Sequence, residues 1–368
     1  MTYTENELKQ ISHNFFIELQ NANNGKIHCV PFLIHHLPQK EILPENCIFQ
    51  VMVFGGTVFK SAIINKKGSK IKIITQYESE IPTFSNEDIF LSFIDSHLDP
   101  SIHFLAVNFA FPLSPVVINN LLDGYLIRGT KEHAFVNLVG KPVAQTVSEY
   151  IFKKHNRKII TTIANDTICL LLANIKTATW NSTVAGIIGT GTNYSFTLDD
   201  NKIINLESAN FKDFPQTETG KIIDSKSSDT GKHLIEKEIS GAYLYKHFNE
   251  ILSRSKIPFT PLQKTSQLSE IAFSRGKWQK IAQEILERSS SFAACQIAGI
   301  VQFKNTLGIK KLTFVMEGNL FWSGWHYKKM LENYLKLLGV LDSVQFSPVK
   351  HSSIRGAIRL LLPANVIE

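Results

Sequence analysis

The sequence predicts a duplicated α/β architecture with a cleft between its two halves. Three observations support this. "VMVFGGTVFK", from Val51 to Lys60, reads as a β-rich strand, a Gly-Gly-Thr turn and a second strand. "TVAGIIGTGTNYSFTL", from Thr183, restates that hairpin in the second half, and helical stretches follow each one. A chain of 368 residues, 43% hydrophobic and 19% charged, is long enough to bury two cores.

Leu8, Ile11, Phe15, Phe16 and Leu19 recur at helical spacing and predict an amphipathic first helix. The acidic residues among them argue against a secretion signal. Strand signals follow at 47–54, 57–65, 69–76 and 102–110, with a helix over "NEDIFLSFIDSHL" between the last two. "IHFLAVNFAF" is broken by Asn108 and stops at Pro112, too short for a membrane span of roughly 20 residues, so it reads as a buried strand. "PVAQTVSEYIFKKH" is a helix with Pro142 at its first position, where the missing N–H costs nothing. "KIITTIANDTICLLLANI" passes from strand to helix. Pro215 to Lys232, rich in Thr, Ser, Asp and Gly, reads as a surface loop. Helical stretches near 233–253, 278–304 and 324–338, a strand "KLTFVME" and a last helix after Ser352 complete the order.

The net charge of +7 fits an anionic ligand. Lysines and arginines are scattered, with no basic stripe interleaved with aromatics, so the expected anion is a phosphorylated small molecule and neither nucleic acid nor membrane. Cys29, Cys47, Cys169 and Cys295 lie far apart without metal-ligand spacing, which points to a reducing, cytoplasmic setting.

Gly55-Gly56-Thr57 and Gly189-Thr190-Gly191-Thr192 remove side chains and offer N–H groups suited to phosphate. Either alone reads equally as a tight hairpin. Asn165, Asp166 and Thr167 stand where a strand yields to an apolar helix, as an N-cap or with Asp166 as a general base. Thr130 and Lys131 fall in a polar turn, Glu207 follows an apolar strand, and Glu236 sits in a helical charge cluster that by itself reads as a solvated face.

Taken in order, these pieces resemble the hexokinase family, the ATP-dependent sugar kinases of the two-lobed actin-like (ribonuclease H-like) fold, over nearly the whole chain. "FGGTVFK" is similar to the first phosphate loop, Asp-Leu-Gly-Gly-Thr-Asn-Phe-Arg. "FAFPLSP" and "GYLIRGTKEH" are similar to the sugar signature, "IANDTICLLLA" to Asn-Asp-Thr-Val-Gly-Thr-Leu, and "GIIGTGTNYSF" to the second phosphate loop. "INLESANF", "HLIEKEISGAYLYK", "VMEGNLFW" and, more weakly, "SSIRGAI" match later motifs in the same order. The resemblance implies transfer of the γ-phosphoryl of MgATP to the 6-hydroxyl of a hexose. Asp166 would act as base with Lys131 beside it, and Thr130, Lys131, Asn165, Asn193, Glu207 and Glu236 would hold the sugar. It assigns Gly55, Gly56, Thr57, Lys60, Gly189, Thr190 and Gly191 to the phosphates and Ser290 and Ser353 to the adenosine. It implies a small domain over 47–163 completed by 352–368, and a large domain over 1–46 and 164–351.

Several positions depart from the family pattern. Val53 stands where the family has a magnesium-ordering aspartate, so Mg2+ is expected through ATP oxygens and, by way of water, Asp166, with no direct side-chain ligand. Lys60 replaces arginine, Ala110 a serine, and Ser352 and Ile354 replace glycines. These changes leave a second expectation beside the active kinase, a sugar-binding sensor with impaired catalysis.

Overall fold

In the computed structural model, residues 3–36, 42–55, 58–129, 133–199, 202–255, 258–349 and 352–362 are described. The chain opens with α1 (Glu5–Asn23), β1 (Leu33–His36), β2 (Asn46–Phe54), β3 (Val58–Lys67), β4 (Lys70–Glu80) and α2 (Glu87–His97). It continues through β5 (Phe104–Phe109), β6 (Leu113–Ile118), β7 (Leu121–Leu126), α3 (Val143–His155), β8 (Ile160–Asn165) and α4 (Asp166–Asn174). Next come β9 (Thr183–Ile188), β10 (Thr192–Asp199), β11 (Lys202–Asn205), α5 (Glu218–Ser225), α6 (Leu234–Ile239), α7 (Leu244–Arg254) and α8 (Thr265–Phe273). The last elements are α9 (Gln279–Thr306), β12 (Leu312–Glu317), α10 (Asn319–Ser323), α11 (Tyr327–Leu337), β13 (Val344–Pro348) and α12 (Ser352–Arg359). Strands form a six-stranded sheet, β1-β11-β10-β9-β12-β13, a five-stranded sheet, β4-β3-β2-β5-β8, and a β6-β7 hairpin.

The chain divides into two compact units, one of residues 1–32, 184–194 and 206–348, the other of 33–183, 195–205 and 349–368. In the second unit, β2 pairs antiparallel with β3 and parallel with β5, which pairs parallel with β8. Helices cover both faces of this sheet, which is why its central strands read as nearly unbroken apolar runs. Met52, Phe54, Phe90, Phe109 and Val147 build one core, against α2 and α3, while Val51, Val53, Ala106, Ile354 and Ile358 build the other, beneath α12.

In the first unit, Thr4 caps α1 in a capping box with Glu7, and Leu8, Ile11, Phe15 and Leu19 form the buried stripe that the spacing predicts. The middle of α9 is buried on every side, from Ser289 to Val301.

Three expectations are corrected. The stretch from Pro215 to Lys232 is a surface loop only in its second part: residues 226–232 form mostly exposed turns, but Thr217 caps α5, and Thr217, Thr219 and Asp224 are buried. The reason is polar. The buried Glu238 carboxylate accepts from the Thr217 backbone N–H and hydroxyl, both at 2.8 Å, and the buried Lys237 ammonium binds Asp224 at 2.6 Å. The helical stretch at 233–253 breaks into α6 and α7, because Gly241 and Ala242 turn their N–H groups onto the carbonyls of Gly189 (2.7 Å) and Thr190 (3.1 Å). Pro142 is the N-cap of α3 and not its first helical residue.

Candidate active site

In the first unit, β9 ends at Ile188 and the Gly189–Gly191 turn leads into β10. Glycine is required around this turn. A Cβ at Gly241 would lie 2.8 Å from the Gly189 carbonyl, and Gly318, at φ +114°, would place one 2.1 Å from the Ile188 carbonyl. Gly191 is different, for its Cβ would meet a side chain, Glu236 Oε1, at 2.8 Å. That oxygen accepts the Thr192 N–H at 3.2 Å, so the turn and the carboxylate fit each other.

Asn193 follows, and its Oδ1 accepts from the N–H groups of Tyr194 (2.8 Å) and Ser208 (3.1 Å). Glu207, just before Ser208, takes the left-handed conformation (φ 43°, ψ 50°), uncommon for a residue with a side chain. Strain of this kind concentrates at functional positions. Asn193, Glu207, Glu236, Gly189 and Gly191 are half-buried and Thr190 is exposed, so a ligand can reach them. This unit brings together three of the predicted sugar residues and one phosphate turn.

Next to Glu236 on α6, the fully buried Lys237 Nζ binds Asp224, Asp229 (3.0 Å), the Ser227 hydroxyl (2.9 Å) and the Lys232 carbonyl (2.9 Å). Glu238 faces Thr217 and Arg288, and His247 is held between the Thr219 hydroxyl and the Lys237 carbonyl. Burial, helped by the Arg288 charge, lowers the His247 pKa to about 3, so it is neutral. Sequence reasoning missed this network because each member reads as an ordinary surface charge. The signal was the unbroken Glu-Lys-Glu run on a helix only six residues long.

In the second unit, β8 delivers Asn165 and α4 begins at Asp166. Asn165 is the N-cap: its Oδ1 accepts from the Thr167 N–H (3.1 Å) and hydroxyl (2.7 Å). Asp166 Oδ1 also accepts from the Thr167 N–H, at 2.8 Å, and the residue is half-buried at the first turn of the helix. The cap reading holds for Asn165, and the Asp166 carboxylate stands at the first turn of the helix it opens.

Gly55 donates its N–H to the Val58 carbonyl at 2.9 Å. Gly56, Thr57, Thr130 and Lys131 lie outside the described residues. Lys60 is paired with Glu78 at 2.9 Å. Ser353 is half-buried at the start of α12, and its carbonyl accepts from Asn108 Nδ2 at 3.2 Å. Ser290 is fully buried within α9, donating to the Glu287 carbonyl at 2.7 Å.

A family model described as hexokinase matches residues 1–175, and a second, also described as hexokinase, matches 159–255 and 254–362. The chain belongs to the hexokinase family. Hexokinase-2 of Solanum tuberosum is 24% identical over 97% of this chain and 88% of its own length. Glucokinase-1 of Saccharomyces cerevisiae is 26% identical over 72% of each chain. Among solved structures, a hexokinase from Schistosoma mansoni complexed with glucose matches 98% of this chain and 95% of its own, with a TM-score of 0.77 at 17% identity. Another hexokinase matches with a TM-score of 0.71 at 20% identity, over 98% and 96%. These likenesses establish the actin-like hexokinase fold. No helix of the described residues is long and apolar enough to cross a membrane.

Proposed function

We propose that this hexokinase-family chain transfers the γ-phosphoryl of MgATP to the 6-hydroxyl of a hexose such as glucose. One observation carries the reading: Glu236 accepts the Thr192 N–H just after the glycine turn, and Asn193, the next residue, accepts the Ser208 N–H beside the left-handed Glu207. Hexose hydroxyls donate and accept at once, and carboxylates with an amide satisfy both. Thr130, Lys131 and Asn165 add to that set on the family pattern. Asp166 accepts the proton of the attacking hydroxyl, and Lys131 is the second catalytic group on the family pattern. Gly55, Gly56, Thr57, Lys60, Gly189, Thr190 and Gly191 cradle phosphate oxygens, and Ser353 lies toward the adenosine; Ser290, assigned there by the resemblance, is fully buried and bonded within α9. In this division of labour 47–163 with 352–368 forms the small domain, and 1–46 with 164–351 the large one. A cytoplasmic setting, expected from the wide spacing of the four cysteines, goes with this reading.

Magnesium fits this chain as a companion of the nucleotide. Val53 is enclosed in the apolar cluster under α12 and offers no ligand, while Asp166 is a half-buried carboxylate at a helix start, able to hold one water of the ion's shell. When bound, the ion neutralises charge on the transferring phosphoryl.

The test is a coupled assay with glucose, fructose, mannose and MgATP. Hexose-dependent ADP release is expected, lowered ~10²–10⁴-fold in Asp166→Ala; absence of release with every hexose would refute the kinase. A second reading, a sugar-binding sensor with impaired catalysis, is favoured by the enclosure of Val53. It predicts thermal stabilisation by hexose without turnover, and fails if calorimetry detects no hexose binding.

A further inference from the structure

We propose that Gln296, inside the buried helix α9, is a positioning residue that fixes the sugar-facing carboxylate of Glu207; this rests on the hexose reading above. The Ser208 peptide groups are held from both sides by side-chain amides. Its N–H donates to Asn193 Oδ1 at 3.1 Å, and its carbonyl accepts from Gln296 Nε2, also at 3.1 Å. Downstream, the Glu207 carbonyl accepts from the Asn210 N–H (3.0 Å) and Nδ2 (2.9 Å). A left-handed, strained residue persists only where its surroundings over-determine it, and these bonds do so.

The energetics of Gln296 set it apart from ordinary core packing. It is 1% exposed, and Ser208 is fully buried. Among the described residues, Gln296 Oε1 and Ser208 Oγ are both buried without a hydrogen-bond partner. An orphaned amide oxygen in a core is unfavourable, and an apolar side chain of the same shape would remove it. The Ser208 carbonyl would still accept from the Phe211 N–H at 3.2 Å. Stability alone therefore favours an apolar residue at 296. What an apolar residue cannot do is pull the Ser208 carbonyl toward α9, and so aim Glu207. The geometry has the character of a functional compromise, in which a less favourable core residue holds a strained binding residue.

Gln296→Met, nearly isosteric, tests the clamp. The melting temperature is expected to stay the same or rise, while the hexose KM rises about tenfold, the loss of roughly one oriented hydrogen bond, with kcat changed less. Because Gln296 acts through Glu207, the same substitution in a Glu207→Gln background is expected to change the hexose KM less than twofold. Amide hydrogen exchange over residues 205–211, measured without sugar, is expected to quicken in Gln296→Met. An unchanged KM, equal effects in both backgrounds, or unchanged exchange in a variant whose parent turns over hexose overturns the clamp alone. A parent protein without hexose-dependent turnover or binding overturns it together with the hexose reading.

Discussion

Gly191→Ala separates the two duties that meet at the second glycine turn. An added Cβ would lie 2.8 Å from Glu236 Oε1, well inside contact distance. Gly191 is absent from the glycines with positive φ, so alanine brings no backbone strain. The side chain must give way instead, and Glu236 does so by rotating off the Thr192 N–H that it accepts at 3.2 Å. A hydrogen bond to a charged group contributes about 1.5–3 kcal/mol. Glu236 is half-buried and regains water when released, so the cost to the fold falls below that range. On the proposed hexose reading the cost to a bound sugar does not, since the carboxylate assigned to it is turned away. The hexose KM is then expected to rise about 10- to 100-fold, taking tenfold per 1.4 kcal/mol. Steady-state kinetics with each substrate varied in turn, beside a thermal melt, checks this. The MgATP KM is expected to move much less, and the melt by only a few degrees. If the MgATP KM rises while the hexose KM holds, the turn serves phosphate only and the coupling to Glu236 is refuted. Gly318→Ala is the control, because a Cβ 2.1 Å from a backbone carbonyl at φ +114° must disrupt the fold itself.

Two further outcomes can be read without substrate. Val53→Asp restores the family's carboxylate yet places it in the apolar cluster with Ile354 and Ala357, and an uncompensated buried charge costs about 3–5 kcal/mol. Urea unfolding should show that loss, and a variant as stable as its parent would mean that the α12 face opens readily to water. His247, with Glu238, Arg288, Thr219 and the Lys237 carbonyl around it, has its pKa lowered by burial first and by the Arg288 charge second, to about 3. A depressed histidine contributes stability above the unfolded pKa of about 6.5, and that stability is lost as pH falls from there toward 3. Between pH 6.5 and 5 the loss is about 2 kcal/mol, and it should vanish from the pH–stability curve of His247→Gln.

The hairpins, the strand-to-helix passage at Asp166 and the first helix were legible because each depends on local periodicity or a capping residue. What the sequence hid has a common cause. The β6-β7 hairpin turns on Asn119 and Asn120, both left-handed (φ 53° and 62°), a type I′ signal overshadowed by the prolines before it. Helix α5 looks like a loop because, of its buried positions, only Ile223 is apolar; Asp224 and the cap Thr217 are satisfied by Lys237 and Glu238 from a later stretch. Gln296 looks like an interruption of an apolar helix, and only the partner carbonyl at Ser208 gives it a purpose. Local patterns announce elements, whereas buried polar residues become readable only once both partners are in place.

The departures on the nucleotide side are not independent of one another. Val53, where the family has a carboxylate, and Ile354, where it has a glycine, belong to one apolar cluster. Losing the charge and gaining the side chain are two halves of one change, which packs the end of β2 against the first turn of α12. The glycine that is kept, Gly356, could not be replaced in the same way. A Cβ there would lie 1.9 Å from the Cys169 carbonyl on α4, the helix that starts at Asp166. Asn108, the register neighbour of Val53 on β5, ties the Ser353 carbonyl to the sheet. Helix α12 is thus fastened to the sheet by apolar contact and by an amide, and to α4 by close backbone approach. Such packing transmits displacement poorly tolerated by a dense core, so any rearrangement of Ser353 carries α4 and its carboxylate with it. On the reading proposed above, that coupling makes the missing aspartate a smaller loss for positioning than for charge, and the kinase and the sensor are expected to differ in metal affinity more than in the arrangement of Asp166.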